Sequence, residues 1–191
     1  LITDSVSCLH DYSLSVRQME AVEESQVVLV SGAGLEDFMG DVLSHAKTVV
    51  DCSKGIDLLE NSEGTDPHIW LDPARAQQMV DNLTAGLTAV YPEHEAAFAE
   101  NATVLKARLQ ALDEAGKKAL SDISCRELIT FHDGFSYFAD AFDLTILRAI
   151  EEEAGSEASA REVADIVTEI QTHQLPAIFT EVNGADATAQ I

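Results

Sequence analysis

The sequence predicts an α/β fold of two lobes with mostly parallel sheets, bridged by one long helix, with the second lobe incomplete. Three observations predict it. Short apolar, β-branched runs alternate with helical stretches, a helical apolar period continues for about thirty residues in mid-chain, and the last strand-like run is followed only by a turn before Ile191.

Three runs carry strand character, at 27–30, 128–131 and 177–180, each bounded by turn-forming or polar residues. Two weaker ones lie at 48–50 and 144–147. Helical stretches at 15–24, 35–44, 73–90 and 161–172 fall between them, and strands that alternate with helices imply α/β units with a parallel sheet.

From Pro92 to about Ser121, Phe98, Val104, Leu105, Leu109, Leu112 and Leu120 recur at helical spacing, with Gly116 the one breaker. At roughly 1.5 Å per residue, a helix of about thirty residues is about 45 Å long, longer than a small domain is wide. The chain therefore divides into an N-terminal α/β lobe at 1–91, a linking helix at 92–121 and a partial C-terminal lobe at 122–191. The first lobe opens abruptly in a loop-like stretch, and the second stops just after the turn at Asn183-Gly184, so truncation at both ends is expected.

Thirty-four acidic residues against eleven basic ones give a formal charge of −23, which repels phosphate backbones and anionic lipid and excludes nucleic acid as a partner. The acidity attracts cations without selecting among them, so it carries little weight for a metal site. No run approaches the roughly 20 apolar residues of a membrane span, and Leu1-Ile2-Thr3-Asp4 has no signal-peptide character. If the protein is exported, its signal is not within this sequence. Cys8, Cys52 and Cys125 are widely spaced and lack any CxxC pair, so they are read as small semi-buried residues rather than a thiolate zinc site or a disulfide scaffold.

The six histidines separate by context. His45, His94 and His173 lie in or beside polar helical stretches, where a solvated imidazole is the expectation. His132 follows a strand and precedes Asp133-Gly134, at the point where an α/β strand leaves its sheet and ligand sites are found. His68 sits between Pro67 and Pro73, just ahead of a helix, and His10 precedes Asp11-Tyr12 before another. Rigid loops that each present one imidazole suit a metal of fixed geometry. Residue context alone leaves two readings open: a three-histidine metal site, or loop histidines that cap helices and hydrogen-bond locally.

Other chemistry is not signalled. There is no HExxH, GxSxG, phosphate loop or dinucleotide fingerprint. Gly32-Ala33-Gly34 reads as a tight strand-to-helix turn, and Glu151-Glu152-Glu153 as a solvated acidic loop.

Five stretches carry a resemblance: LHDY at 9–12, VVLVSGAGLE at 27–36, DPHIWLDP at 66–73, TFHDGFSYF at 130–138 and AIFTE at 177–181. In this order and at these intervals the chain resembles the bacterial solute-binding proteins that deliver zinc or manganese to ABC importers. The resemblance implies two α/β lobes bridged by a long helix, with His10, His68 and His132 as metal ligands and a fourth, usually a carboxylate, beyond the end of this sequence. It also implies a monomer outside the cytoplasm, periplasmic or lipid-anchored, and a binding protein rather than an enzyme. The sequence departs from the family in its missing first strand, in the stretch 59–65, which lacks a histidine-rich loop, and in Glu157-Ala158-Ser159 where the family has Glu-Pro-Ser.

Three imidazoles suit zinc, while manganese, the second choice, is better served by more carboxylate oxygen. Two alternatives of other kinds remain at this stage: a metal-dependent surface adhesin on the same scaffold, and a zinc hydrolase, for which no motif supplies a general base.

Overall fold

The computed structural model describes residues 14–62, 64–151 and 159–179. The chain divides into two compact units, one made of Leu1–Leu58 with Pro73–Asp113 and the other of Leu59–Asp72 with Glu114–Ile191. The stretch around His68 thus packs with the later half of the sequence, although residues on both sides of it belong to the first unit. Among the described residues no helix is long and apolar enough to cross a membrane.

In the first unit, helix α1 (Val16–Glu24) starts at a reciprocal cap: the Ser15 hydroxyl accepts from the Gln18 amide, and the Gln18 side chain accepts from Ser15 N. Strand β1 (Val28–Val30) pairs in parallel with β2 (Val49–Asp51), Val28 opposite Val49. Alternation along β1 turns Val28 and Val30 into a core with Val22 and Met39 and leaves Leu29 outside. The helix expected at 35–44 is instead a pair of 3-10 turns over Asp37–His45, interrupted at Gly40, whose φ of 50° and ψ of −131° no α-helix accommodates.

The turn after β1 is closed on itself. Gly32, Ala33 and Gly34 all have positive φ, at 87°, 54° and 88°. A side chain at Gly32 would collide with the Asp51 carboxylate and the Ser53 hydroxyl. The Glu36 carboxylate accepts from Ser31 N at 2.7 Å and Gly32 N at 3.0 Å, while the Ser53 hydroxyl accepts from Ala33 N at 3.2 Å and donates to Asp51 at 2.7 Å. Helix α2 (Pro73–Val90) lies close to β2 through Gly86, and Asn82 donates to the carbonyls of Cys52 and Lys54. Cys52 and Cys125 are free thiols, and burial, with Asp51 and Glu36 nearby, pushes the Cys52 thiol up; Cys8 lies outside the described residues.

The long helix is present. A short 3-10 turn at Pro92–His94 leads into α3 (Glu95–Ala119), about 37 Å at roughly 1.5 Å per residue. The boundary between the two units falls within it, after Asp113.

In the second unit, β5 (Glu127–His132) pairs in parallel with β6 (Thr145–Glu151), with a register shift between Leu128 and Ile129. On the other side of β5, Phe179 forms an isolated parallel bridge to Thr130. The run at 177–180 is therefore a single bridged residue as far as it is described, and β5 is central. Two short elements accompany them: the antiparallel hairpin β3 (Glu60–Asn61) with β4 (Gly64–Thr65), and helix α4 (Ser136–Ala141). Helix α5 (Ala160–His173) is capped by Ser159 and Glu162 and packs Ile166 against Ile129 and Leu175.

Candidate metal centre

The polypeptide brings two histidines together through the second unit. Strand β5 is buried from Leu128 to Phe131 and ends at His132, the last residue of the ladder, opposite Glu151. His68 is delivered by the stretch 66–73, in which Pro67 and the single 3-10 turn Ile69–Leu71 fix the backbone and Ile69, fully buried, anchors it.

Asp66 sets the orientation of His68. It is 0% exposed, and its Oδ1 accepts from the His68 backbone amide at 2.9 Å and from His68 Nδ1 at 2.7 Å. Burial by itself raises a carboxyl pKa, but the hydrogen bonds from the His68 ring and amide, with one from the Ser136 side chain, hold the Asp66 carboxyl below its ordinary value. An ionised Asp66 requires a proton on His68 Nδ1, which leaves the lone pair of the neutral ring on Nε2.

That Nε2 lies 3.1 Å from Nε2 of His132, with ring centroids 4.9 Å apart and planes at 83°. With the His68 proton on Nδ1, the contact reads as a hydrogen bond donated by His132 Nε2–H to the His68 lone pair. Replacing that proton with a cation makes both nitrogens donors to it. Two nitrogens bound to one zinc at about 2.0–2.1 Å in tetrahedral geometry stand about 3.3–3.4 Å apart, close to the spacing observed.

The space between the rings depends on Gly134. A β-carbon there would sit 2.7 Å from His132 Nε2 and 2.8 Å from His68 Cε1. Tyr137, also 0% exposed, pins the entry to the His68 stretch: its hydroxyl accepts from Leu59 N at 3.0 Å and donates to the Asp66 carbonyl at 2.9 Å. Trp70 packs edge-on to His68 at 5.4 Å and remains 43% exposed.

Of the three histidines singled out from sequence, His68 and His132 therefore meet, and His10 lies outside the described residues. Among the described residues no group of three His, Cys, Asp or Glu side chains forms a metal-holding cluster. His45, His94 and His173 are exposed, the last paired with Glu127 at 2.9 Å. Glu151 ends β6 in register with His132, while Glu152 and Glu153 lie outside the described residues. Sequence reading missed Asp66 and Tyr137. The Asp two residues before a histidine was a usable signal, since such a carboxylate reaches back to the ring nitrogen. Nothing in the sequence marks Tyr137 as reaching Leu59.

Comparison with known proteins places the chain in a family. The zinc-binding lipoprotein AdcA of Streptococcus pneumoniae serotype 4 is 26% identical over 199 residues, covering 94% of this chain and 40% of that protein. The manganese-binding lipoprotein MntA of Bacillus subtilis strain 168 is 30% identical over 182 residues, covering 90% of this chain and 60% of that protein. The chain thus spans between 40% and 60% of the length of these two relatives. The crystal structure of the Zn(II)-bound ZnuA-like domain of Streptococcus pneumoniae AdcA matches with a TM-score of 0.82 and 26% identity, covering 95% of this chain and 69% of that one. The family model described as "ZnuA: Zinc-uptake complex component A periplasmic" matches residues 1–191, and the chain belongs to that family.

Proposed function

We propose that this chain is the metal-capturing part of an extracytoplasmic solute-binding protein that hands zinc to an ABC importer, with His10, His68 and His132 as ligands. The observation that carries the reading is the pair of Nε2 atoms 3.1 Å apart, one of them oriented by a buried carboxylate. Imidazole nitrogen is a borderline-soft donor and suits zinc better than manganese. Manganese stays the second metal because the relative at 30% identity is named a manganese-binding lipoprotein.

In this reading the metal is cargo and no bond in a substrate is broken, so the protein is not an enzyme. It acts as a monomer, periplasmic or held to the membrane by a lipid anchor, as the names of its lipoprotein relatives suggest. Its partner is the membrane subunit of the importer. In sequence the lobes follow residues 1–91 and 122–191 with the helix between them, except that the stretch 59–72 packs with the second unit.

The test is calorimetric competition between zinc and manganese on the wild-type chain and on His68→Ala and His132→Ala. Zinc is expected to bind more tightly, and each substitution to weaken it by at least about 100-fold, beyond the roughly 10–100-fold typical of residues that only support a ligand. Zinc affinity unchanged in both variants would remove the assignment. Protons compete for the same lone pairs, so zinc affinity also declines as pH falls through the histidine range.

A further inference from the structure

Beside His132 stands a carboxylate that a metal-site reading would take first as another ligand, yet Asp133 is engaged elsewhere. Its Oδ2 accepts from the backbone N–H of Ser62 at 3.0 Å and from the Ser62 hydroxyl at 2.5 Å, and its backbone carbonyl accepts from Asn61 Nδ2 at 3.0 Å. Two consecutive residues at the tip of the β3–β4 hairpin are thus tied to the residue that follows His132.

The base of the same hairpin is closed independently. Asp66 N donates to the Leu59 carbonyl at 2.8 Å, and the Tyr137 hydroxyl spans Leu59 N and the Asp66 carbonyl. The segment 59–66 is therefore fastened at its tip by Asp133 and at its base by Tyr137, and it ends in the carboxylate that orients His68. Asp133 is one peptide bond from one imidazole, and the hairpin it holds leads directly to the other.

We propose that Asp133 is a positioning residue of the cargo site: its clasp on Ser62 and Asn61 holds the two Nε2 atoms at their spacing before metal arrives. The inference rests on the reading of His68 and His132 as ligands. A site arranged in advance does not have to order its loops when the cation binds, so the clasp acts on affinity and on coordination geometry. The two hydrogen bonds from Ser62 are charge-assisted, and an asparagine at 133 keeps an acceptor oxygen in place without the charge.

The experiment measures zinc affinity of the full chain, and the visible spectrum of the cobalt(II)-loaded protein, for wild type, Asp133→Ala, Asp133→Asn, Ser62→Ala, the Ser62→Ala/Asp133→Ala double variant and His68→Ala. Asp133→Ala is expected to weaken zinc about 10-fold or more and to alter the cobalt band, with Asp133→Asn recovering part of both. Ser62→Ala is expected to weaken zinc less, and the double variant no more than Asp133→Ala alone, because the two act through one contact. A merely structural role would lower the melting temperature and leave zinc affinity and the cobalt band unchanged. Should Asp133→Ala fail to fold, Ser62→Ala, a change at an exposed residue, decides the matter. Zinc affinity within twofold of wild type in the Asp133 and Ser62 variants, with binding lost in His68→Ala, overturns the clasp alone. Binding retained in His68→Ala overturns the ligand reading beneath it.

Discussion

The chain leaves a parallel strand twice in comparable ways, after β1 and after β5, and the two exits do opposite things with their polar groups. After β1 the backbone amides of Ser31, Gly32 and Ala33 are all taken up by Glu36 and Ser53, and Ser53 in turn by Asp51. These three amides are spent on the turn's own side chains. At the end of β5 the carboxylates of Asp133 and of Asp66, the latter brought in by the earlier stretch 66–73, hold scaffolding and leave two imidazole nitrogens facing each other. The first exit spends its acceptors on backbone amides of its own turn, and the second spends them on orienting an imidazole and a hairpin.

Asp66 and Glu36 make the comparison testable, since each is a carboxylate that accepts two N–H groups. The largest effect is expected at Asp66: Asp66→Ala frees the His68 ring to rotate and change tautomer, and weakens zinc by roughly 10–100-fold in a calorimetric titration. An affinity unchanged by that substitution would break the contrast between the two exits. Glu36→Ala should leave zinc affinity within twofold and instead cost stability, about 1–3 kcal/mol in a denaturant titration, because two turn amides lose their acceptor. A large zinc effect from Glu36→Ala would mean that the closed turn serves the site after all.

The smallest expected effect contrasts the helix caps of the two units. Both α1 and α5 begin with a serine whose partner three residues on reaches back, but that partner is Gln18 in the first and Glu162 in the second. Hydrogen bonds from the Ser159 side chain and amide hold the Glu162 carboxyl below its ordinary value. A carboxyl whose pKa is lower folded than unfolded contributes stability above its unfolded value, near about 4.3 for glutamate, and loses it as pH falls through the folded value. The α5 cap therefore weakens in acid while the α1 cap does not. Melting curves from pH 6 down to pH 3 should show a slightly shallower acid loss in Glu162→Gln than in wild type, and parallel curves would remove the distinction.

Much of this was legible in the sequence where local signals agree with the fold. Pro73 at the start of α2 and the long apolar period of α3 marked their helices closely, and the β-branched runs found β1, β2, β5 and β6. The stretch 37–45 misled because its apolar spacing is helical, while Gly40 takes a backbone conformation that breaks the helix. The hairpin over 60–65 has no strand-forming composition, and its tip is bonded to Asp133, a residue some seventy positions away in sequence. The same limit governs the site. Loop context picked out His68 and His132, but a separation of 64 residues carries no information about distance, which comes from long-range contacts such as those of Tyr137 and Asp133.

That separation also sets a schedule for biosynthesis. The His68 stretch leaves the ribosome before Asp133, Gly134, Ser136 and Tyr137 exist, and at roughly 5–20 residues per second it waits about 3–13 s for them. Through that interval Asp66 and His68 are a local pair without the partners that bury and fasten them. A fragment beginning at the long helix would never acquire them, since it inherits His132 with nothing opposite. Separately expressed halves of this protein should therefore be cut outside residues 59–137 if the pair is to survive in one piece.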